Sequence, residues 1–140
     1  MDDIDITKQL EHILGKEMGP DIYEIEKGMI KRFIEAIGED EKKWQEKAPP
    51  TFAVALVPKK MVHEIFNAGI PLRRTLNGGN ELENLAPIKA GDIIEVNARI
   101  TDMKLVKGKK SPILFLFTKI RYTNQTGELV VKAKNTYIKY

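Results

Sequence analysis

From residue 72 to the end of the chain the apolar side chains recur at every second position, and that period dictates extended strands. Residues 93–103 alternate cleanly, with Ile93, Glu95, Asn97 and Arg99 sharing one face. Residues 114–123 predict a long strand and residues 129–140 another, while residues 72–85 predict a strand interrupted at Gly78-Gly79. Lys107-Gly108-Lys109-Lys110 and Asn124-Gln125-Thr126-Gly127 have the composition of hairpin turns. Strands joined by such short turns run antiparallel, so the second half of the chain predicts one antiparallel sheet.

The first half has the helical period instead. Ile6, Leu10, Ile13 and Leu14 predict an N-terminal helix within residues 1–15, with Gly15 as its stop. A short strand of Ile22, Tyr23 and Ile25 follows the Gly19-Pro20 breaker. Met29, Ile30, Phe33, Ile34 and Ile37 then predict an amphipathic helix closed by Gly38. Residues 39–47 lack apolar periodicity apart from Trp44 and predict a polar loop. Ala48-Pro49-Pro50 cannot lie inside a helix, because each proline removes an amide donor, but Pro50 suits a first turn. Residues 51–68 are so apolar that a helix there must be wrapped by other structure, with Pro58 kinking or dividing it. Helices followed by an antiparallel sheet, with one apolar helix for the sheet to cover, predict a single α+β domain over residues 1–140.

Composition narrows the function classes. There are no cysteines, which excludes disulfides and thiolate metal sites and favours a cytoplasmic address. With only His12 and His63, a histidine-rich metal site is not expected either, nor is any cofactor. The longest apolar run, residues 113–117, is far too short to span a bilayer. The N-terminus opens acidic, unlike a secretory signal. The net charge is +3, and the basic groups Lys59-Lys60, Arg73-Arg74 and Lys107, Lys109 and Lys110 are scattered. No nucleic-acid partner is expected from that distribution, which suits a solvated surface or contact with an acidic partner.

Four pieces carry a more specific signal. They are Tyr23-Glu24-Ile25-Glu26-Lys27-Gly28 leading to Glu35-Ala36-Ile37-Gly38; Ala48-Pro49-Pro50-Thr51-Phe52; Leu76-Asn77-Gly78-Gly79-Asn80-Glu81-Leu82-Glu83; and Pro87-Ile88-Lys89-Ala90-Gly91-Asp92. In this order and spacing the chain resembles the N-terminal-type domain of the MaoC-like dehydratases, over roughly residues 8–140. The resemblance implies a hotdog fold, a curved antiparallel sheet around a central helix at residues 51–68. It also implies acyl thioesters as ligands, on coenzyme A or an acyl carrier protein, held in tunnels between paired hotdogs.

Catalytic members of that family place an Asp after the helix-ending Gly and a His shortly beyond it. The pair activates one water for addition to an enoyl thioester, work that needs a group able to donate and accept a proton near neutrality. Aligned on Gly38, this chain has Glu39 at the Asp position and Trp44 at the His position. Indole offers one donor and no acceptor, so Trp44 cannot act as the base.

The chain thus resembles the non-catalytic half of heteromeric (R)-specific enoyl-thioester hydratases and 3-hydroxyacyl dehydratases. Trp44, Pro50, Thr51, Phe52, Asn77, Gly78 and Gly79 are the expected thioester contacts, with Glu39 and Trp44 as degenerate catalytic positions. The expected assembly is a homodimer in isolation or a heterodimer with a catalytic hotdog. Two alternatives stay open: an acyl-CoA-binding scaffold module of a thiolase-type assembly, and a stand-alone thioesterase or dehydratase working through Glu39 or Glu64.

Overall fold

The computed structural model describes residues 3–44 and 47–140, with the backbone alone described for residues 3–5. Met1 and Asp2, in the segment expected as the first helix, and Gln45 and Glu46, in the expected polar loop, lie outside the described residues. In chain order the elements are α1 (Asp3–Leu10), β1 (Met18–Glu24), α2 (Lys27–Ile37), α3 (Glu41–Trp44), a 3-10 turn (Phe52–Ala55), α4 (Lys59–Phe66), β2 (Thr75–Asn84), β3 (Ile93–Lys107), β4 (Pro112–Thr123) and β5 (Leu129–Lys139).

The five strands form one antiparallel sheet in the order β1-β3-β4-β5-β2. Three consecutive strands, β3 to β5, make a meander, while β2 crosses over to pair with β5 and forms one edge. Among the described residues, the far side of β2 pairs with no strand.

Alternation decides which side of the sheet is inside. Ile94, Val96, Ala98 and Ile100 of β3 are buried, as are Leu114, Leu116, Ile120 and Tyr122 of β4 and Val131 and Ala133 of β5. They pack on the buried faces of the helical half: Ile6 and Leu10 of α1, Ile30 and Ile34 of α2, Phe52, and Met61 and Ile65 of α4. Phe33 meets Phe52 edge to face, with ring centroids 5.4 Å apart, and so fastens α2 to the 3-10 turn. Among the described residues, no helix is long and apolar enough to cross a membrane.

The structure departs from the sequence expectation in three places. The first helix stops at Leu10, because the following turn carries Leu14 onto a parallel bridge with Ile100 and the Gly15 amide donates to the Ile100 carbonyl at 2.8 Å. The segment expected as one central helix is split into the 3-10 turn and α4. Pro58 brings no amide and disfavours helical geometry at Val57, so α4 begins only at Lys59. Between Gly38 and Lys47 the chain forms a one-turn helix, α3, where Asp40 Oδ1 accepts the Lys42 amide at 3.0 Å.

Side chains of β1 hold the start of α4 in place. Asp21 Oδ2 accepts the Lys60 amide at 3.2 Å, and the Tyr23 hydroxyl donates to the Val57 carbonyl at 2.6 Å. Gly38, at φ 73°, ends α2 in the left-handed conformation that glycine adopts without a Cβ penalty.

The alternation argument makes a direct prediction. Leu116→Ala, at a position with no solvent exposure, should cost about 2–5 kcal/mol in urea unfolding. Val106→Ala, on the opposite face of the sheet and 37% exposed, should stay within about 0.5 kcal/mol of the wild type. Equal costs at the two positions would mean that the inside and outside of the sheet have been assigned wrongly.

Candidate functional site

Trp44 sits at the end of α3 and is half-buried, packed against the core. It lines a cleft of about 310 Å³ together with Ala48, Pro49, Pro50, Ala53 and Asn84. The two prolines hold this wall extended, and the Asn84 side chain donates to the Pro50 carbonyl at 3.1 Å, tying the end of β2 to it. The Ala48 amide donates to the Ile88 carbonyl at 2.8 Å, and Lys47 bridges Lys89. A basic hollow of about 1100 Å³ adjoins the cleft, carrying Lys27, Lys42, Lys43, Lys47 and Lys89 beside Asp40 and Glu41.

The indole Nε1 is buried and has no hydrogen-bond partner among the described residues. One face of the ring carries the Lys43 ammonium, 5.1 Å from its centroid. Lys43 also lies 3.9 Å from Glu39, an exposed i,i+4 pair of little energetic weight. An unpaired buried donor beside an apolar wall can receive a hydrogen bond acceptor such as a carbonyl oxygen. It cannot carry a proton back and forth.

The two histidines are elsewhere. His12 lies exposed in the turn after α1, and His63 lies exposed on α4, where its ring is 3.1–3.2 Å from the Asn67 amide nitrogen. Glu64, the acid of α4, is 3.3 Å from Lys16 and faces a different hollow.

The remaining expected contacts divide into separate places. Thr51 is exposed just before the 3-10 turn, and the Phe52 side chain lies in the core with 1% exposure. Asn77, Gly78 and Gly79 are at the opposite end of β2 from Asn84, where the pairing with β5 slips between Asn77 and Gly79. The glycines there have packing reasons. A Cβ on Gly78 would come within 2.9 Å of the Ile138 side chain, and Gly79 has φ 153°. Asn77 Oδ1 accepts the Gly79 amide at 3.0 Å, closing the bulge. Within one chain, then, Trp44 and Pro50 share a cleft, whereas Phe52 and the glycine pair do not reach it.

A second polar group lies on the inner face of the sheet and left no sequence signal beyond its alternation. Lys139 is buried, donates to Thr75 Oγ1 at 3.0 Å and lies 4.8 Å from the Phe66 ring centroid. Burial pushes its pKa below the ordinary lysine value. Burial also raises Tyr122, helped by nearby Tyr137 and Tyr23, and raises Tyr137 against an opposing hydrogen bond from Asn135. Asn135 Oδ1 is buried without a partner among the described residues.

A sequence profile of the FAS1-like dehydratase domain region matches residues 12–133. Among solved structures, a chain of the C-terminally truncated HadBC (3R-hydroxyacyl-ACP dehydratase) complex of Mycobacterium tuberculosis superposes with a TM-score of 0.73 at 20% identity, covering 90% of this chain and 96% of that one. A chain of the ChsH1-ChsH2 complex of the same organism gives 0.73 at 15% identity, over 98% and 96%. A hot-dog-like protein of Thermanaerovibrio acidaminovorans gives 0.68 at 10% identity, over 94% and 87%. Among curated proteins nothing matches. The likenesses in structure establish the α+β hotdog fold.

The inner polar group predicts how stability depends on pH. The folded state holds the Lys139 proton less tightly than the unfolded chain does, so the unfolded chain binds more protons from the lowered pKa up to about the ordinary 10.5. Stability relative to Lys139→Met should therefore rise with pH through that window. Above the ordinary tyrosine value of 10.0 the raised tyrosines act oppositely, because the unfolded chain loses their protons first. The share of the tyrosinate absorbance that belongs to Tyr122 and Tyr137 should appear only with alkaline unfolding. A full tyrosine titration that precedes unfolding would contradict the burial of Tyr122 and Tyr137.

Proposed function

The chain belongs to the FAS1-like dehydratase domain family, and from that membership we propose that it is a hotdog subunit that binds an acyl thioester and pairs with a catalytic hotdog rather than catalysing alone. One observation carries the reading. The position at which the catalytic members need a proton shuttle holds Trp44, and no described residue lining its cleft is a histidine.

The cleft supports binding better than chemistry. Its apolar wall of prolines and alanines suits an acyl or pantetheine segment, and the free indole Nε1 suits a carbonyl oxygen. The neighbouring lysines suit the phosphates of coenzyme A or of a carrier-protein prosthetic arm. The unpaired side of β2 supports a partner, since a bare strand edge is a template for pairing. Two of the similar structures are named as complexes of paired chains. In this reading the Gly78-Gly79 end of β2 meets a ligand only across such a pairing, in a homodimer of the isolated chain or a heterodimer in the cell. The compartment we assign is the cytoplasm, from the missing cysteines.

The stand-alone alternative through a carboxylate has less support. Glu39 is exposed and near Lys43, and Glu64 pairs with Lys16 away from the Trp44 cleft. The scaffold alternative shares the binding chemistry and differs only in its partner.

Purified by itself, the protein should bind a short enoyl-CoA, with a change in emission of its one tryptophan, yet show no measurable hydration of it. Trp44→Ala should weaken binding roughly tenfold, a loss of about 1.4 kcal/mol. Glu39→Gln and Glu64→Gln should leave a thioester panel unchanged. Robust hydration by the chain alone would reject the proposal.

A further inference from the structure

The five cations Arg99, Lys119, Arg121, Lys132 and Lys134 come from three strands, and the sheet register sets them side by side on its outer face. Arg99 is opposite Lys119, which is opposite Lys134, and the neighbouring row sets Arg121 opposite Lys132; the rows end on β2, where Glu81 is opposite Lys134 and Glu83 opposite Lys132. All five are exposed. The ion pairs of the described residues join Lys16 to Glu64 and Lys43 to Glu39, so none of these five has a carboxylate within ion-pair distance. Like charges directly opposite across a sheet oppose folding. The chain's net charge is only +3, so this array is a local concentration and not a general excess.

The array has shape and an apolar margin. It lines a depression of about 560 Å³, and a second of about 600 Å³ adjoins it, sharing Glu81, Lys119 and Lys134. Further along β4, at the same alternate positions, Phe115 and Phe117 stand stacked with centroids 6.5 Å apart. Ile138 is opposite Phe115, and Leu76, 52% exposed, is opposite Ile138. Aromatic residues and arginine beside aliphatic side chains are the composition of a protein interface.

We propose that this outer face docks an acidic protein surface, one that presents carboxylates to the cation rows and apolar side chains to the Phe115–Phe117 margin. The proposal is independent of what fills the Trp44 cleft. Other occupants fit less well. Glu17 on one flank and Glu81 and Glu83 on the other interrupt the basic surface that a continuous phosphate backbone needs. A second copy stacked face to face about a two-fold axis through the array would oppose the same five cations to themselves.

The test uses the full chain and a synthetic amphipathic peptide with Glu and Leu at helical spacing, followed by fluorescence anisotropy of the labelled peptide. Lys119→Glu places a carboxylate between Arg99 and Lys134, so it should raise the unfolding midpoint while weakening peptide binding roughly tenfold or more. Phe117→Ser should also weaken the peptide, and Lys107→Glu, in the hairpin, should not. Weaker binding with stability kept or raised supports the docking surface. Equal binding by wild type and Lys119→Glu overturns it. So does a single-stranded oligonucleotide that binds through Lys119 more tightly than the peptide. A sedimentation change in Lys119→Glu would overturn it in favour of contact between copies of the chain.

Discussion

One constraint organises this molecule: β3, β4 and β5 must each hide every second side chain, and the hidden side needs an apolar partner. The helical half supplies it in pieces. Ile30 and Ile34, Phe52, and Met61 and Ile65 come from three separate elements and close on the sheet as one core. A one-residue slip of β4 would exchange Leu114 and Leu116 for Phe115 and Phe117 and bring Lys119 inward, so register and core specify each other.

Register alone does not fix the ends of strands, and here polar side chains take over. Asp92 accepts the Lys89 amide at 2.9 Å and the Gln125 side chain at 3.1 Å, and Gln125 Oε1 accepts the Ile93 amide at 3.0 Å. The Gly91 amide donates to the Ile25 carbonyl and the Ile25 amide to the Asp92 carbonyl, so the Gly-Asp step locks β1, β3 and the hairpin after β4 together. Asn124 Oδ1 accepts from the Thr126 amide, the Thr126 hydroxyl and the Glu128 amide, which closes that hairpin. One of the four pieces that together carry the family resemblance is, in physical terms, a joint.

How much of this could be read from residues alone follows from range. Alternation and helical period are local, so the strands, the helix ending at Gly38 and both hairpins were legible. The split at Pro58 was half legible: the proline has no N–H to donate to a helical hydrogen bond, but the grip of Tyr23 on Val57 and of Asp21 on Lys60 holds the start of α4 in place. The crossing of β2 to β5, the buried Lys139 and the outer cation rows depend on which strands become neighbours. Arg99 and Lys134 are far apart in sequence and look scattered until the sheet aligns them through Lys119. That Trp44 lines a cleft with Pro50 agrees with its expected place beside the proline pair. That its nitrogen lies buried, with no partner among the described residues, was not legible, because burial depends on tertiary packing.

In the proposed reading, the same division lets a family scaffold lose its chemistry and keep its fold. Trp44 and Glu39 stand on and beside a one-turn helix that contributes no fully buried side chain, while the core is held by the longer helices and the strands on either side of it. Trp44 adds only a half-buried contact at the margin of that core, so exchanging the side chain there leaves the fully buried residues in place. Fold and function are therefore only loosely coupled in this chain. In the proposed reading a partner that supplies a base would find the β2 edge open among the described residues, and that edge is set by the sheet order and not by the identity of residue 44.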